Sequence, residues 1–243
     1  MSISKDEHTV KRYDQELTHL RQLVMEMGGI VEDQINRAIK ALDDEDIQAA
    51  REVIARDQVI NGLELRADEA SVSLVALRQP LGSDLRLIMS LHKAVTDLER
   101  IGDEAERIAR MVVHMYDSTS LPPNGRLLRD VMSMAQLASQ ILHDALDALA
   151  RVDADKALQI LQSDHELDDE FQSGMRRLMT FMMEDSRIIG QAIDVIFMLR
   201  SLERIGDHAK NLAEYVVYLA KGKDIRHTAA LQEDTPQAAV AAS

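Results

Sequence analysis

The chain contains no cysteine and no tryptophan, has only four prolines among its 243 residues, and is 3% aromatic. Because cysteine is absent, the chain can form neither a disulfide nor a thiolate metal site, and any bound metal would need oxygen or imidazole ligands. The scarcity of proline and aromatic residues, beside abundant Ala, Leu, Met, Glu and Arg, favours helices over strands. The composition therefore predicts an all-α protein.

Long apolar runs and an excess of basic residues are also absent. No uncharged apolar stretch approaches the roughly 18 residues that would suggest a membrane span, and the charged N-terminal region at residues 5–14 lacks the apolar segment of a signal peptide. The chain carries 28 basic and 42 acidic side chains, a net charge of −14, whereas a protein that binds nucleic acid needs a basic surface. These features predict a cytoplasmic protein that does not bind nucleic acid directly.

The motifs of common enzyme classes are missing from the sequence. It contains no glycine-rich phosphate-binding loop, no Gly-x-Ser-x-Gly, no dinucleotide-binding fingerprint and no His-Glu-x-x-His. The Glu-x-x-His elements of di-iron helix bundles are not in place either, which argues against oxidase chemistry. The sequence thus gives no support for an enzyme that uses one of these mechanisms.

An internal duplication is the strongest positive signal in the sequence. The string Leu-Glu-Arg-Ile-Gly-Asp occurs at residues 98–103 and again at residues 202–207. Earlier in each half, Asp46 and Asp57 align with Asp153 and Asp164 at an offset of 107, and the offset falls to 104 at the repeated string. The residues missing from the second copy fall at a turn, where deletions are tolerated. Each repeat is about a hundred residues long, which is the size of a domain.

Apolar periodicity and capping residues place three long helices in each half. The predicted helices cover about residues 5–43, 46–77, 83–116, 126–151, 153–183 and 185–221. Long helices joined by short turns form antiparallel bundles, so the predicted architecture is two tandem three-helix bundles with six long helices. We predict bundles at residues 1–117 and 126–222, a linker at residues 118–125 and a disordered tail at residues 223–243.

Each copy of the repeated string carries two carboxylates four residues apart, Glu99 with Asp103 and Glu203 with Asp207. On one helix face such a pair repels and destabilises an isolated helix by about 0.2–0.5 kcal/mol. A divalent cation such as Mg, Mn, Fe or Zn would offset this repulsion, since these cations bind carboxylates. Further oxygen ligands are predicted on the preceding helix of each half, at Asp57 and Asn61 and at Asp164 and Asp168.

Two other interpretations of the motif stay open. The carboxylates are either solvated residues of a structural turn, screened by Arg100, Arg107 and Arg204, or part of an interaction surface without metal. Gly102 and Gly206 lie within the motif although glycine costs a helix about 1 kcal/mol relative to alanine. Their position predicts the close approach of another helix or of an ion.

Several stretches together resemble the PhoU family. They are the doubled Leu-Glu-Arg-Ile-Gly-Asp, Met-Glu-Met-Gly-Gly at residues 25–29, Arg-Gln-Pro-Leu-Gly-Ser-Asp-Leu-Arg at residues 78–86, and Met-Met-Glu-Asp-Ser-Arg at residues 182–187. The resemblance covers residues 5–227 and implies two three-helix bundles related by a pseudo-twofold axis. It places the family's Glu/Asp-x-x-x-Asp signature on Glu99 and Asp103 and on Glu203 and Asp207. The family pattern also expects acids at Asp57, Asp84 and Asp164.

The resemblance further implies a function. A member of this family is expected to be a cytoplasmic, usually dimeric, negative regulator of the phosphate regulon and not an enzyme. It is expected to link the ATPase subunit of the phosphate ABC transporter to the sensor histidine kinase PhoR, and to approach the membrane only through these partners. Starvation signalling would then stay off while phosphate is plentiful. The alternatives are a metal-binding or metal-storage bundle, a metal-dependent enzyme, and a plain helical scaffold.

Overall fold

The structure, a computed structural model, describes residues 5–117, 125–162 and 165–222. These residues form seven α-helices: α1 (Lys5–Asp43), α2 (Ile47–Arg78), α3 (Ser83–Asp117), α4 (Gly125–Arg151), α5 (Ala154–Gln162), α6 (His165–Glu184) and α7 (Ile189–Lys221). A 3-10 turn at Ser186–Ile188 precedes α7, and no residue in the described ranges is in a strand. Within the same ranges, no helix is both long and apolar enough to cross a membrane. The predicted all-α class is confirmed.

The helix ends lie close to the predicted ones because capping residues set them. Asp46 accepts a hydrogen bond from the backbone N–H of Ala49 at 3.0 Å, and its duplicate Asp153 accepts one from the N–H of Lys156 at 3.0 Å. The predicted fifth helix corresponds to α5 and α6, and residues 163–164 between them lie outside the described residues. The predicted linker, apart from Gly125, and the predicted tail lie outside them as well.

Each half forms a bundle, and the two bundles share one continuous apolar core. The helices α1, α2 and α3 pack against one another, as do α4 to α7, and the bundles meet where α3 packs along α7 and α1 packs against α4. Along α1, Val24, Val31 and Ile35 are fully buried at helical spacing. Each such side chain contributes about 1.5–3 kcal/mol relative to an exposed one. The apolar period that predicts the helices is therefore the row of side chains that builds the core.

An arginine fixes the turn between α2 and α3. Gln79 adopts a left-handed conformation with φ of 48°, and Pro80 follows it, so α2 cannot continue. Arg78 donates from Nε and Nη2 to the two carboxylate oxygens of Glu16 in α1, at 2.9 and 2.8 Å. A bidentate pair of this kind holds the turn against α1 and sets where α3 begins. The Arg-Gln-Pro stretch thus has a structural role.

The two bundles join along α3 and α7, which run antiparallel. Near the start of α3 the ammonium group of Lys93 lies 5.8 Å from the ring centroid of Tyr215, near the end of α7. At the middle of the interface between α3 and α7, Nη1 of Arg204 donates to Oε1 of Glu104 at 2.8 Å. Because Arg204 belongs to the second copy of the repeated motif and Glu104 directly follows the first, the two copies lie next to each other where the bundles meet.

The glycine of each repeated motif lies where a neighbouring helix comes closest. A Cβ atom added to Gly102 would lie 2.9 Å from Cδ1 of Ile60 in α2, and one added to Gly206 would overlap the side chain of Leu167 in α6. Ile60 and Leu167 are fully buried, and a packed core leaves little room for either to move aside. The predicted close approach of another helix is confirmed at both glycines.

We expect Gly206→Ala to lower the free energy of unfolding by about 1–2 kcal/mol, because overpacking against Leu167 outweighs the gain in helix propensity. Gly29→Ala is the matched control, since a Cβ atom added to Gly29 in α1 meets no atom within 4 Å. This control should stabilise the protein by about 0.5–1 kcal/mol. Chemical denaturation measures both effects, and stabilisation of similar size in the two variants would contradict the packing role of Gly206.

Candidate functional site

Five carboxylates from α2 and α3 form a group that we call the first cluster: Asp57, Glu64, Glu99, Asp103 and Glu106. The two helices pack side by side, so the i, i+4 pair of α3 meets acids of α2. The charges of Asp57 and Glu64 act on Glu99, and those of Asp57 and Glu106 act on Asp103. The structure thus brings Asp57, Glu99 and Asp103 together, as predicted.

Four carboxyl groups of the first cluster share an upward shift in pKa. Burial raises the pKa of Asp57, Glu64, Glu99 and Asp103, and repulsion from other carboxylates of the cluster raises it further. Burial is the larger cause, and the charges of Arg110, Arg100 and Arg107 act in the opposite direction on Asp57, Glu99 and Asp103, respectively. A cation bound among them would lower these pKa values and remove the repulsion.

Asp57 is held in place by two amides. It is 7% exposed, its Oδ2 accepts a hydrogen bond from Nδ2 of Asn61 at 3.0 Å, and its Oδ1 accepts one from Nε2 of Gln34 at 3.4 Å. Gln34 is 1% exposed, and its Oε1 has no hydrogen-bond partner among the described residues. Asn61 therefore lies beside Asp57, as predicted, and Gln34 of α1 adds a buried amide that donates to Asp57 through Nε2.

Three carboxylates form the corresponding second cluster: Asp168 of α6 with Glu203 and Asp207 of α7. Burial raises the pKa of Asp207 to about 6, and the charges of Glu203 and Asp168 add to this effect. Burial also raises the pKa of Glu203. Asp168 is thus near the motif pair, as predicted, whereas Asp164 lies outside the described residues.

The two clusters differ in their positively charged neighbours. In the second cluster, Nη1 of Arg200 donates to Oε1 of Glu203 at 2.7 Å, and Nζ of Lys210 lies 3.7 Å from Oδ1 of Asp207. In the first cluster, Glu106 forms an ion pair with Arg110, and the other four carboxylates form none with a lysine or arginine in the described part of the chain. The duplication has kept the motif carboxylates and changed their counter-ions.

The donor chemistry of the first cluster fits a hard divalent cation, because it offers carboxylate oxygens. In the described ranges, however, no three histidine, aspartate or glutamate side chains are already grouped as metal ligands. A cation would therefore require the carboxylates to turn towards a shared position. Metal binding by the predicted residues stays a prediction.

A buried carboxylate links the two bundles. Asp97 of α3 is 3% exposed and accepts hydrogen bonds from three side chains of α7: Nδ1 of His208 at 2.8 Å, Nδ2 of Asn211 at 3.0 Å and the hydroxyl of Tyr215 at 2.7 Å. Burial alone would raise the pKa of Asp97, but the hydrogen bonds from these three side chains outweigh burial and lower it. The only sequence signal of this role is the uncharged Ser201 at the duplicate position.

Sequence reasoning missed Glu64, Glu106 and Gln34 as members of the first cluster. Glu64 lies three residues after Asn61, and Glu106 lies three residues after Asp103. Residues three apart share a helix face, so this spacing is a signal that was available in the sequence. Gln34 has no such signal, since it comes from α1 and meets α2 and α3 only through packing.

Asp84, a further acid expected from the family pattern, does not join a cluster. It lies in the first turn of α3, about 22 Å along the helix before Glu99. Burial, together with the nearby Asp84, raises the pKa of Tyr13 in α1 to about 12. Asp84 therefore belongs to the contact of α1 with the α2–α3 turn.

Comparison with known proteins adds to this geometry. The sequence matches the PhoU domain twice, over residues 24–112 and over residues 131–216. The chain belongs to the PhoU family. The phosphate-specific transport system accessory protein PhoU homolog of Pseudomonas aeruginosa is 45% identical over 228 residues, which are 93% of each chain. The phosphate-specific transport system accessory protein PhoU of Escherichia coli strain K12 is 42% identical over 226 residues, 93% of this chain and 92% of that one.

Solved PhoU structures share the fold. The crystal structure of PhoU from Pseudomonas aeruginosa matches with a TM-score of 0.81 and 44% identity, over 87% of this chain and 100% of that chain. The phosphate transport system regulatory protein PhoU from Streptococcus pneumoniae matches with a TM-score of 0.79 and 28% identity, over 88% and 99% of the two chains. The predicted family and the predicted all-α fold of two tandem bundles are both confirmed.

Proposed function

We propose that this protein is a negative regulator of the phosphate regulon and acts as an adaptor. It connects the ATPase subunit of the phosphate ABC transporter with the sensor histidine kinase PhoR and keeps starvation signalling off while phosphate is plentiful. The observation that carries this proposal is the nearly full-length similarity to proteins named phosphate-specific transport system accessory proteins. Such similarity over both halves supports a role that the whole molecule shares with them.

Exposed apolar side chains and charged clusters on the surface support action by binding to other proteins. Leu81 at the α2–α3 turn and Met183 near the end of α6 are 82% and 81% exposed, and they lie at corresponding ends of the two bundles. Exposed apolar side chains of this size supply contact area for other proteins. The charged clusters add electrostatic complementarity, which selects partners. The protein is proposed to work in the cytoplasm as a homodimer and to reach the membrane only through its partners.

Divalent metal ions belong to this proposal as ligands of the acidic clusters. Glu99, Asp103, Asp57 and Asn61 would hold a cation in the first bundle, where burial and repulsion among carboxylates raise the pKa values of Asp57, Glu99 and Asp103. The ion supplies positive charge at a surface that is otherwise acidic. The residues themselves supply hard oxygen ligands, which suit Mg, Mn or Fe better than a soft metal. Metal binding would then alter how this face meets a partner.

Deleting the gene for this chain from its own bacterium is expected to raise phosphatase expression in phosphate-rich medium by about tenfold or more, because loss of the coupling removes repression. A plasmid copy of the wild-type gene should restore low expression. The measurement is alkaline phosphatase activity or a reporter fused to a phosphate-regulated promoter. Low expression in the deletion strain would overturn the regulatory proposal, whatever the protein binds in vitro.

A further inference from the structure

The helix α2 carries apolar side chains on its outward face as well as on its core face. Ile60, Leu63 and Leu74 are buried where α2 packs against α1 and α3. On the other side of the helix, Leu65 and Val72 are 69% and 66% exposed. A surface helix normally confines its apolar side chains to the stripe that faces the core. The outward face of α2 therefore has the composition of a surface that another protein segment covers.

The outward positions of α2 follow a regular spacing. Steps of alternately three and four residues select a row that we call the α2 seam: Ala55, Gln58, Gly62, Leu65, Glu69, Val72 and Ala76. A spacing that averages 3.5 residues is that of two helices packed side by side. Because each residue of a helix rises by about 1.5 Å, the seam is about 30 Å long. Several turns of another helix can lie along it.

Gly62, near the middle of the seam, has no packing role within its own bundle. A Cβ atom added to Gly62 would meet no atom of the described residues within 4 Å, whereas one added to Gly102 would lie 2.9 Å from Ile60. Glycine inside a helix costs about 1 kcal/mol relative to alanine. The close approach of a helix from another molecule would account for a glycine at this exposed position.

The duplicate helix shows that the fold does not require an apolar seam. At the offset of 107, Gly62 and Leu65 correspond to Asp169 and Gln172 of α6. Both of these polar side chains are exposed. The second bundle therefore forms around a helix whose outward face is polar at these positions. The apolar middle of the α2 seam belongs to the first bundle alone.

We infer that two copies of this chain associate through the α2 seam, with their α2 helices antiparallel about a twofold axis near Ala67. This inference rests on the homodimer proposed above and says which face forms it. At this register, Val72 packs over Gly62 of the partner subunit, a large side chain against a small one.

Charge complementarity favours a second copy as the occupant of the seam. Arg66 and Glu69 are exposed, and within the described residues neither forms an ion pair. The antiparallel register places Arg66 opposite Glu69 of the partner subunit. The twofold axis repeats this contact, so one pair of opposite charges on a single face is used twice. Such pairs fix the register and the choice of partner more than they raise the affinity.

Sedimentation velocity of the full-length protein over a range of concentrations tests the inference. The wild type should be a dimer that dissociates on dilution. Gly62→Leu should raise the dissociation constant by at least about tenfold, because the larger side chain keeps the two helices apart. Gly29→Leu is the matched control in α1 and should dimerise like the wild type. A Cβ atom added at either glycine meets nothing within 4 Å, so both variants should fold.

A second set of variants uses the duplication and the charge pair. Leu65→Asp should weaken the dimer by about a hundredfold, because it buries a charge near the axis, whereas Gln172→Asp adds the same charge at the duplicate position and should have no effect. Arg66→Glu should weaken the dimer, and Arg66→Glu with Glu69→Arg should restore it. Glu69→Ala removes only an exposed pair, worth at most about 1 kcal/mol, and should leave the dimer in place.

Single cysteines report the orientation of the two helices, because the chain has no cysteine of its own. In the antiparallel dimer, the two copies of residue 69 lie about 6 Å apart along the helix axes, and the two copies of residue 55 lie about 36 Å apart. A short bismaleimide should therefore join two chains of Glu69→Cys and should not join two chains of Ala55→Cys. Efficient joining at both positions would indicate parallel helices and would overturn the proposed arrangement.

The outcomes separate this inference from the proposals on which it rests. A wild type that is monomeric at every concentration would overturn both the inference and the proposed homodimer, and loss of repression in Leu65→Asp would then assign the seam to a different protein. A dimer that persists in Gly62→Leu and Leu65→Asp would overturn the inference alone. Circular dichroism confirms that each variant is folded. The proposed regulation is measured separately, by gene expression in the deletion strain.

Discussion

Asp97→Ala is expected to lower the free energy of unfolding by about 3 kcal/mol. This is the largest loss of stability that we expect from a single substitution at the interface between the bundles. The carboxylate of Asp97 is buried and accepts hydrogen bonds from His208, Asn211 and Tyr215. Alanine leaves these polar groups without their acceptor in a place that water reaches poorly. Denaturation in urea or guanidinium chloride, followed by circular dichroism, measures the change.

Asp103→Ala is the matched control for this substitution. Asp103 lies on the same helix and has the same side chain, but it is exposed, and partial desolvation and neighbouring acids raise its pKa. Its removal relieves repulsion, so the stability should change by less than about 0.5 kcal/mol. If both variants lost a similar amount of stability, the hydrogen bonds of Asp97 would not be the interactions that stabilise the interface between the bundles.

The stability supplied by Asp97 should also depend on pH. The pKa of Asp97 is lowered in the folded protein, where hydrogen bonds from His208, Tyr215 and Asn211 outweigh the effect of burial. A carboxylate with a lowered pKa stabilises the fold above its unfolded pKa of about 3.9 and loses this contribution as the pH falls through the folded value. The difference between the wild type and Asp97→Ala should therefore be largest near neutral pH and should decrease in acid.

Glu99→Ala with Glu203→Ala is expected to raise a phosphate-regulated reporter by about tenfold in phosphate-rich medium, because the acidic faces of both bundles lose a central carboxylate. The fold should remain intact, since both side chains have raised pKa values and neither is hydrogen-bonded in the core. The measurement is reporter activity in a deletion strain that carries the variant, with protein levels checked by immunoblot.

The matched control carries Glu69→Ala with Glu184→Ala, which removes two exposed glutamates away from the motif. Its net charge equals that of the test variant, so a difference between the two reports on position and not on total charge. Repression at the wild-type level in both variants would rule out a regulatory role for the motif carboxylates. The second cluster can be tested alone by Glu203→Ala in the same strain.

Much of the fold follows from local pattern. The apolar period of α1, in which Val24, Val31 and Ile35 recur, predicts the helix and its buried face, and Asp46 and Asp153 predict where helices begin. These features act within one or two helical turns, so the sequence displays them directly. The duplication, the family and the all-α class could be predicted for the same reason. Each depends on a short sequence motif or on the spacing of apolar residues, and not on tertiary contacts.

The clusters were only partly predictable. The proximity of Glu99 to Asp57 was predicted from matching positions in the two halves. Spacing along the helices could also have identified Glu64 and Glu106. Gln34 was not, because it contacts the site from a helix that is distant in sequence. Spacing along a helix tells which residues share a face, but it does not tell which other helix that face will meet.

The sequence by itself determined the helices, their caps, the duplication and the two acidic pairs, because these depend on neighbours along the chain. Only the tertiary structure decided that Asp97 is the buried link between the bundles and that Arg204 of the second motif pairs with Glu104 beside the first. These roles depend on how α3 and α7 pack and on which side chains that packing buries together. Burial and the distance between charges are properties of the packed molecule, and they give two nearly identical motifs different electrostatics.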